Sequence, residues 1–487
     1  MQMEPIAIVG QACTLPGALT PAELWANVIA GRNCLSQVPA GRWGVPRSAV
    51  MGTVHDASDR TWSDVGGYVN GFESVFEPAS FLIPADEIRE LDPLFQWVLH
   101  GAREALRGTG HEAPSPRAGL VLGGLSFPTS AMARYAESVW LEAQGPAFAG
   151  DHVAERAGIV RPHARNRFSS GLPAHLAARA LGLGAGAFTL DAACASSLYA
   201  IKFACDRLHD HRADIMVAGA VSRTDDLFTH VGFSALAAMS RSGRSRPFHR
   251  DADGLVPAEG AGFIVLQRLR DAVQARRKIL GVIRAIGLSN DGRGRGLLAP
   301  SEEGQERTMR LTYAQAGITP KDIGLIECHA TGTAVGDATE VRSTARIFEG
   351  CDDVPIGSLK SNLGHLVAAA GVAGVLKVLA SLESGQRPPT LHADPPIDAL
   401  QSTPFRLLHE AEEWIGPRRA AISAFGFGGN NAHLIVEAWE GSSASVSRSA
   451  TRREQPAVAI VAVGARVADG ESVNDFASAL RFSQWTP

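Results

Sequence analysis

Gly184-Ala-Gly-Ala-Phe-Thr-Leu-Asp-Ala-Ala-Cys194-Ala-Ser-Ser-Leu-Tyr-Ala-Ile-Lys-Phe-Ala-Cys-Asp-Arg-Leu208 reads as a strand, a sharp turn carrying one cysteine, and a helix. Ala187–Leu190 is a short, mainly apolar run of strand character. After the turn, Leu198, Ile201, Cys205 and Leu208 recur at helical spacing and form one buried stripe. Cys194 therefore stands at the N-terminus of a core helix, where unpaired N–H groups and the helix dipole are expected to lower a thiol's pKa. Ala192, Ala193, Ala195 and Ser196 are small enough to let a substrate reach the sulfur. Taken alone, such a cysteine is more often an inert core residue. The rest of the chain argues otherwise.

Working outward, the N-terminal side opens with a buried-type strand at Ile6–Val9. A helix follows from Pro21 to about Ile29, with Thr20 as its N-cap. Residues 30–85 are loop-rich. A helix is expected from Pro93 to about Leu106 and an apolar strand over Arg117–Gly123. The loop Gly123–Thr129 and the helix after it suit a dimer contact or a pocket wall. Beyond the cysteine helix, a strand is expected at 213–220. A polar loop from Ser245 then leads into a glycine-punctuated strand ending near Leu269. Asp251, Asp253 and Glu259 in that loop lack the ligand spacing of a calcium site, so no metal is expected.

The C-terminal side holds two histidine stretches. In Gly324-Leu-Ile-Glu-Cys-His329-Ala-Thr331-Gly-Thr333-Ala-Val-Gly-Asp-Ala-Thr-Glu340 a strand ends at the histidine and a Thr/Gly loop follows. In Ile356-Gly-Ser-Leu-Lys360-Ser-Asn-Leu-Gly-His365 a strand leads to a helix of small residues that can pack closely. Then 420–436, with Phe425-Gly-Phe427-Gly-Gly-Asn-Asn at its centre, reads as a glycine turn between apolar runs that exposes bare backbone N–H groups. One histidine at a strand end is commonly structural. Two in matching contexts, together with a cysteine on an elbow, point to chemistry.

Composition sets bounds. The chain has 487 residues, 45% of them hydrophobic, enough for a large core or two fused halves. A net charge of −4 gives no case for nucleic acid or an anionic membrane surface. The six cysteines form no CxxC pair, which suggests neither a zinc site nor a disulfide framework and fits a reducing cytoplasm. The N-terminus lacks a signal peptide's apolar core. No stretch approaches ~18 uninterrupted apolar residues, so no membrane span is expected.

The Asp191-Ala-Ala-Cys194 elbow, the His-Ala-Thr-Gly-Thr loop, the Lys-Ser-Asn-Leu-Gly-His segment and Phe-Gly-Phe-Gly-Gly-Asn-Asn occur in the order of the β-ketoacyl synthases. Residues 3–438 resemble the ketosynthase domain of an iterative polyketide or polyunsaturated fatty acid synthase. The resemblance implies an α/β, thiolase-like αβαβα sandwich of two related halves, residues 1–250 and 251–438. It implies no bound cofactor. Acyl and malonyl thioesters would arrive on the phosphopantetheine of an acyl carrier protein. The protein would be a homodimer within a larger multidomain synthase. Ala330 departs from the family's usual glycine.

By the same resemblance Cys194 accepts the acyl chain, and His329 and His365 stabilise the enolate formed when malonyl loses CO2. The backbone N–H groups of Cys194 and Phe427 form the oxyanion hole, Thr331 and Thr333 hold the pantetheine, and Phe427 gates the acyl pocket. Lys360 and Glu340 support the site as an ion pair or hydrogen-bond network. A thiolase would need a second cysteine in the C-terminal glycine loop, and a non-catalytic chain-length-factor-type partner would lack the nucleophile; neither description fits these residues.

The tail changes character. Residues 439–456 have a polar linker composition. Residues 457–487 echo the opening strand, loop and helix, and are expected to begin a second ketosynthase-like, chain-length-factor-like domain. The alternative is a closing element of the ketosynthase itself.

Overall fold

Apolar residues alternate in their facing along most long strands of this protein, so each strand feeds two cores. The computed structural model describes residues 4–53, 59–111, 114–144, 162–294, 296–441, 457–464, 466 and 472–481. Two compact units divide the chain, Met1–Ser449 and Ala450–Pro487. In the first unit the main strands are β1 (Ile6–Thr14), β2 (Ala118–Gly124), β3 (Ala187–Leu190), β4 (Ile215–Ser222), β5 (Gly260–Arg268), β6 (Gly281–Asn290), β7 (Leu325–Glu327), β8 (Val354–Gly357), β9 (Phe405–Leu407), β10 (Arg419–Gly426) and β11 (Asn430–Glu437). The helices that matter here are α1 (Pro93–Arg107), α2 (Leu172–Leu181), α3 (Ser196–His209), α4 (Glu302–Ala316), α5 (Ala334–Ile347) and α6 (Ala370–Ser384).

The strands form one hydrogen-bonded ladder of eleven, in the order β9-β8-β7-β10-β11-β6-β1-β5-β4-β2-β3. Cut between β6 and β1, it gives two halves of matching order: β1-β5-β4-β2-β3 and β6-β11-β10-β7-β8, with β9 added at one edge. The directions match too. The β2–β3, β2–β4, β7–β8 and β7–β10 pairs are parallel, and the pairs onto β5 and β11 are antiparallel. The chain is the internally repeated fold expected of it.

Helices α3 and α6 lie between the two halves. Helix α3 touches β2, β4 and β5 on one side and β6 and β11 on the other; α6 touches β5 and β10. Helices α1 and α2 cover the outer face of the first half, and α4 and α5 that of the second. This is the αβαβα sandwich, and the strand periodicity explains it. Val121, Ile264, Leu266, Leu434 and Val436 face the central layer. Their neighbours Leu120, Leu122, Phe263 and Val265 face one outer layer, and Ile435 faces the other. The stripe Leu198, Ile201, Cys205 and Leu208 is buried as its spacing predicts. Val367–Ser384 is long and apolar enough to cross a membrane, but it is the central-layer helix with its lead-in turn, mainly apolar because protein covers both faces.

The small residues of α6 permit its contact with α3. A Cβ at Gly371 would lie 2.7 Å from Ser197 Oγ and 2.9 Å from Leu198 Cγ, and the Val372 N–H donates to Ser197 Oγ at 3.0 Å. Trp439 still packs on the first unit's core, so that core extends past Ala438. The rest of the expected linker, 442–456, lies outside the described residues. In the second unit, 457–464 forms no strand, contrary to expectation, and Val458, Ile460 and Val461 are exposed; the helix is present at Val473–Arg481. An apolar run alone does not make a strand, because a strand needs a neighbour to accept its hydrogen bonds.

Gly371→Ala is expected to destabilise the first unit by about 1–3 kcal/mol through overpacking between the central helices. Chemical denaturation reads this directly; an unchanged midpoint would show that the two helices have room to spare.

Candidate active site

The elbow is built by backbone strain and by a close neighbour. Ala193 has φ of +51°, in the left-handed region that a residue with a Cβ rarely adopts. Ser196 holds the turn: its Oγ donates to Ala193 O and accepts from Ala192 N at 2.9 Å. The end of β10 presses on the other side. A Cβ at Gly426 would lie 2.6 Å from Ala192 O and 3.1 Å from Cys194 N, so only glycine fits there. Cys194 stands on this turn at the head of α3, 5% exposed.

Both histidines reach it from the second half. His365 Nε2 lies 3.1 Å from Cys194 Sγ. One ligand-type atom from each of Cys194, His329 and His365 falls within 4.8 Å of the others. The two imidazoles meet edge to face, with centroids 5.5 Å apart, and Phe425 backs His329 at 6.0 Å. All three side chains line a cavity of about 520 Å³ that Thr331, Thr333 and Phe427 also line. The Thr331 and Thr333 hydroxyls are 3.1 Å apart. Phe427 is half-buried and packs on the apolar cluster of Cys194, Phe233, Met239, Leu255 and Val367.

The electrostatics correct one expectation. Burial pushes the Cys194 thiol up to about 11, rather than down. Lys360 and the backbone N–H groups of Phe427 and of Cys194 itself favour the thiolate, but they do not overcome desolvation. The helix N-terminus is present, and burial outweighs it. Both imidazoles are held well below their ordinary value, first by burial and then by the Lys360 charge, so they are neutral at pH 7. Burial also lowers the Lys360 ammonium, opposed by Glu327 and Glu340.

Of the two arrangements expected for Lys360 and Glu340, an ion pair or a hydrogen-bond network, the structure shows no ion-pair contact between them. Glu340 instead accepts the backbone N–H of His329 and of Ala330, each at 2.7 Å. Its carboxyl is raised to about 7 by burial, against those hydrogen bonds and Lys360. The link between Lys360 and Glu340 is thus through-space, while Glu340's direct work is on the histidine loop. Three contributors escaped the sequence reading. Asp337 accepts the N–H groups of Thr331 at 2.9 Å, of Gly332 and of Phe248, which folds the loop after His329. Glu327 accepts Leu359 N–H at 2.7 Å and pairs with fully buried Lys377 at 2.6 Å, tying the strand ends that carry His329 and Lys360. The Asp337 position, just inside a helix start after a Thr/Gly loop, was a readable signal; Lys377 offered none.

Family models for the "Beta-ketoacyl synthase, N-terminal domain" and "C-terminal domain" match residues 3–272 and 280–394. The chain belongs to the β-ketoacyl synthase family. This ketosynthase is an acyltransferase whose Cys194, His329 and His365 form the catalytic triad of decarboxylative condensation. A further model, "Ketoacyl-synthetase C-terminal extension", matches 394–483. Among relatives, the ketosynthase is 36% identical over 447 residues to the pikromycin polyketide synthase component PikAIII of Streptomyces venezuelae, covering 89% of this chain and 28% of that protein. It is 34% identical over 452 residues to the PKS-NRPS hybrid synthetase ATPKS of Aspergillus niger, covering 89% and 23%. The chain thus spans about a quarter of these relatives' length. Among solved structures, the PfaC keto synthase-chain length factor superposes with a TM-score of 0.86 at 33% identity, covering 99% of this chain and 53% of that one. The module 6 ketosynthase of the bacillaene synthase from Bacillus subtilis 168 superposes with 0.79 at 29%, covering 90% and 73%.

Because burial sets the thiol, iodoacetamide labelling of Cys194 is expected to rise about tenfold per pH unit from neutrality to pH 10, without a plateau. Labelling that is already level above pH 8 would mean a preformed thiolate and a different balance of forces.

Proposed function

We propose that this ketosynthase extends a chain carried by an acyl carrier protein, as one domain of a polyketide or polyunsaturated fatty acid synthase. The observation that carries the reading is the convergence of Cys194 and two neutral imidazoles on one cavity. Relatives of the chain are parts of large polyketide synthases, and one of its fold neighbours is a keto synthase-chain length factor.

Each step has a group suited to it. Cys194 Sγ attacks the acyl thioester, and the pantetheine thiol leaves with the cysteine's proton. A malonyl thioester then occupies the cavity, its arm held by the Thr331 and Thr333 hydroxyls. The bond to the carboxylate breaks, CO2 departs, and the electron pair passes into an enolate. Neutral imidazoles donating from His329 and His365 stabilise the enolate oxygen without placing another cation beside Lys360. The carbanion attacks the acyl-cysteine, and the N–H groups of Cys194 and Phe427, which already favour negative charge on the sulfur, receive the tetrahedral oxyanion. Collapse expels the cysteine sulfur as a thiolate, which takes one proton from solvent to restore the thiol, and leaves a β-ketoacyl chain on the carrier. Phe427, packed beside Cys194, gates the acyl side. Lys360 acts through its charge and Glu340 through the His329 backbone.

The assembly follows similar reasoning. Strand β3 ends the ladder with half-buried residues, and Phe188 on it meets exposed Phe203 edge to face at 6.5 Å. An open sheet edge flanked by aromatics suits pairing with a second copy, hence a homodimer. Six free thiols suit a cytoplasmic protein. For 457–487, the 53% coverage of the keto synthase-chain length factor supports the start of a following domain. The C-terminal extension model, which runs to residue 483, favours the alternative of a closing element.

Intact-mass measurement after incubation with a panel of acyl thioesters tests the reading. Cys194→Ala is expected to remain folded and to lose all loading and condensation; acyl transfer by the folded variant would sink the assignment. His329→Ala and His365→Ala are both expected to lose condensation, with at least one still forming the acyl-cysteine. Normal condensation by both would remove the two-histidine mechanism. Deleting everything after Ser449 is expected to leave loading intact if the tail begins another domain, whereas a closing element would show a clear fall in melting temperature.

A further inference from the structure

The loop that carries Asp253 and Glu259 has no part in the mechanism above, yet its backbone runs through the middle of the site. Gly254 N–H donates to Gly332 O at 2.9 Å, in the turn that follows His329. Leu255 N–H donates to Ala238 O at 2.9 Å, and Leu255 O accepts from Ser240 N–H at 2.7 Å. Leu255 and Met239 both pack against Cys194. Val256 O accepts His365 N–H at 2.7 Å, and Ala258 N–H donates to His365 O at 3.0 Å. Within the seven residues Asp253–Glu259, four (Gly254, Leu255, Val256 and Ala258) thus bond to the main chain beside His329, to that of His365 and to the strip that packs on the nucleophile.

Each end of this segment is held by a carboxylate. Asp253 accepts from Ser240 Oγ at 2.7 Å and from Ser242 N–H at 2.8 Å, and it pairs with Arg246 at 3.3 Å. Glu259, 5% exposed, accepts Val69 N–H at 2.9 Å and pairs with Arg42 and, at 3.2 Å, with Arg223. Its own N–H donates to Gly67 O, and Gly67 N–H donates to Pro257 O at 3.0 Å. Arg42 is fixed in turn by Asp226 at 2.6 Å. Asp251, the third acid of the loop, is exposed and belongs to neither clasp.

We infer that Asp253–Glu259 is a spine that sets the relative placement of Cys194, His329 and His365, and that Asp253 and Glu259 are positioning residues that fix its two ends. The inference rests on the ketosynthase reading of the site. Charge-assisted hydrogen bonds are short and strong, so two such clasps hold the register of the strip between them. The cysteine elbow has its own supports in Ser196 and Gly426. Loosening the spine therefore shifts the histidines relative to the cysteine more than it disturbs the cysteine itself. A misplacement of about 1 Å can cost about a hundredfold in rate.

The test uses the full chain with Glu259→Gln and Asp253→Asn, acetyl-pantetheine as loading probe and malonyl-pantetheine as decarboxylation probe. Glu259→Gln is expected to lower kcat for decarboxylation by about tenfold to a hundredfold, with Cys194 loading within about threefold of wild type. Asp253→Asn, next to the Gly332–Thr333 turn, is expected to raise KM for malonyl-pantetheine more than it lowers kcat. Loading and decarboxylation falling together in each variant, or neither changing beyond about twofold, overturns the spine, since a merely structural role moves both alike. If Glu259→Gln does not fold, Asp253→Asn decides alone, because its carboxylate is partly exposed and its main partners are a hydroxyl and an N–H group. Wild-type protein that loads acetyl but never decarboxylates malonyl counts against the ketosynthase reading instead.

Discussion

The contact between Cys194 Sγ and His365 Nε2, 3.1 Å long and buried, joins the two halves of the sandwich at their chemical centre. The nucleophile comes from the first half and both imidazoles from the second. Neither half alone holds a reaction centre. The requirement that these groups meet explains why the central layer is so tightly packed, with glycine at 371 and at 426 where a methyl group would push the halves apart.

Burial at this junction has a consequence for proton chemistry. It raises the thiol to about 11 and drives both imidazoles well below their ordinary value, so the resting site is a neutral thiol beside neutral bases. Lys360 supplies a nearby positive charge, itself weakened by burial. Such a site holds little net charge at rest and is shaped to accept the negative charge that an enolate or a tetrahedral intermediate brings.

The acids around the site do structural work for that chemistry. Glu340 and Asp337 fold the His329 loop by accepting its backbone N–H groups. Glu327 ties two strand ends, and Asp253 and Glu259 clasp the segment between the histidines. A buried carboxylate can satisfy several backbone donors at once, which suits it to fixing loops that no sheet or helix ladder can hold.

Much of this was legible in the chain itself. The stripe from Leu198 to Leu208, the Thr20 cap, the strand that ends just before His329 and the glycine turn after Phe425 are local patterns, and local hydrogen-bond geometry enforces them; His365 instead follows a short helix, Lys360–Leu363, that lies between it and its strand. The order of the motifs was enough to indicate the family and its triad. Tertiary structure decided the rest, because the deciding partners are distant in sequence. The thiol's shift came from burial by both halves, which no turn reveals. Glu340 bonds the main chain of His329 rather than meeting Lys360, since the backbone of the loop turns its N–H groups toward the helix. Nothing in the sequence marks Lys377, which is buried on Glu327, fifty residues away. The apolar run at 457–464 looked like a strand, but a strand exists only where another lies beside it, and none does there among the described residues.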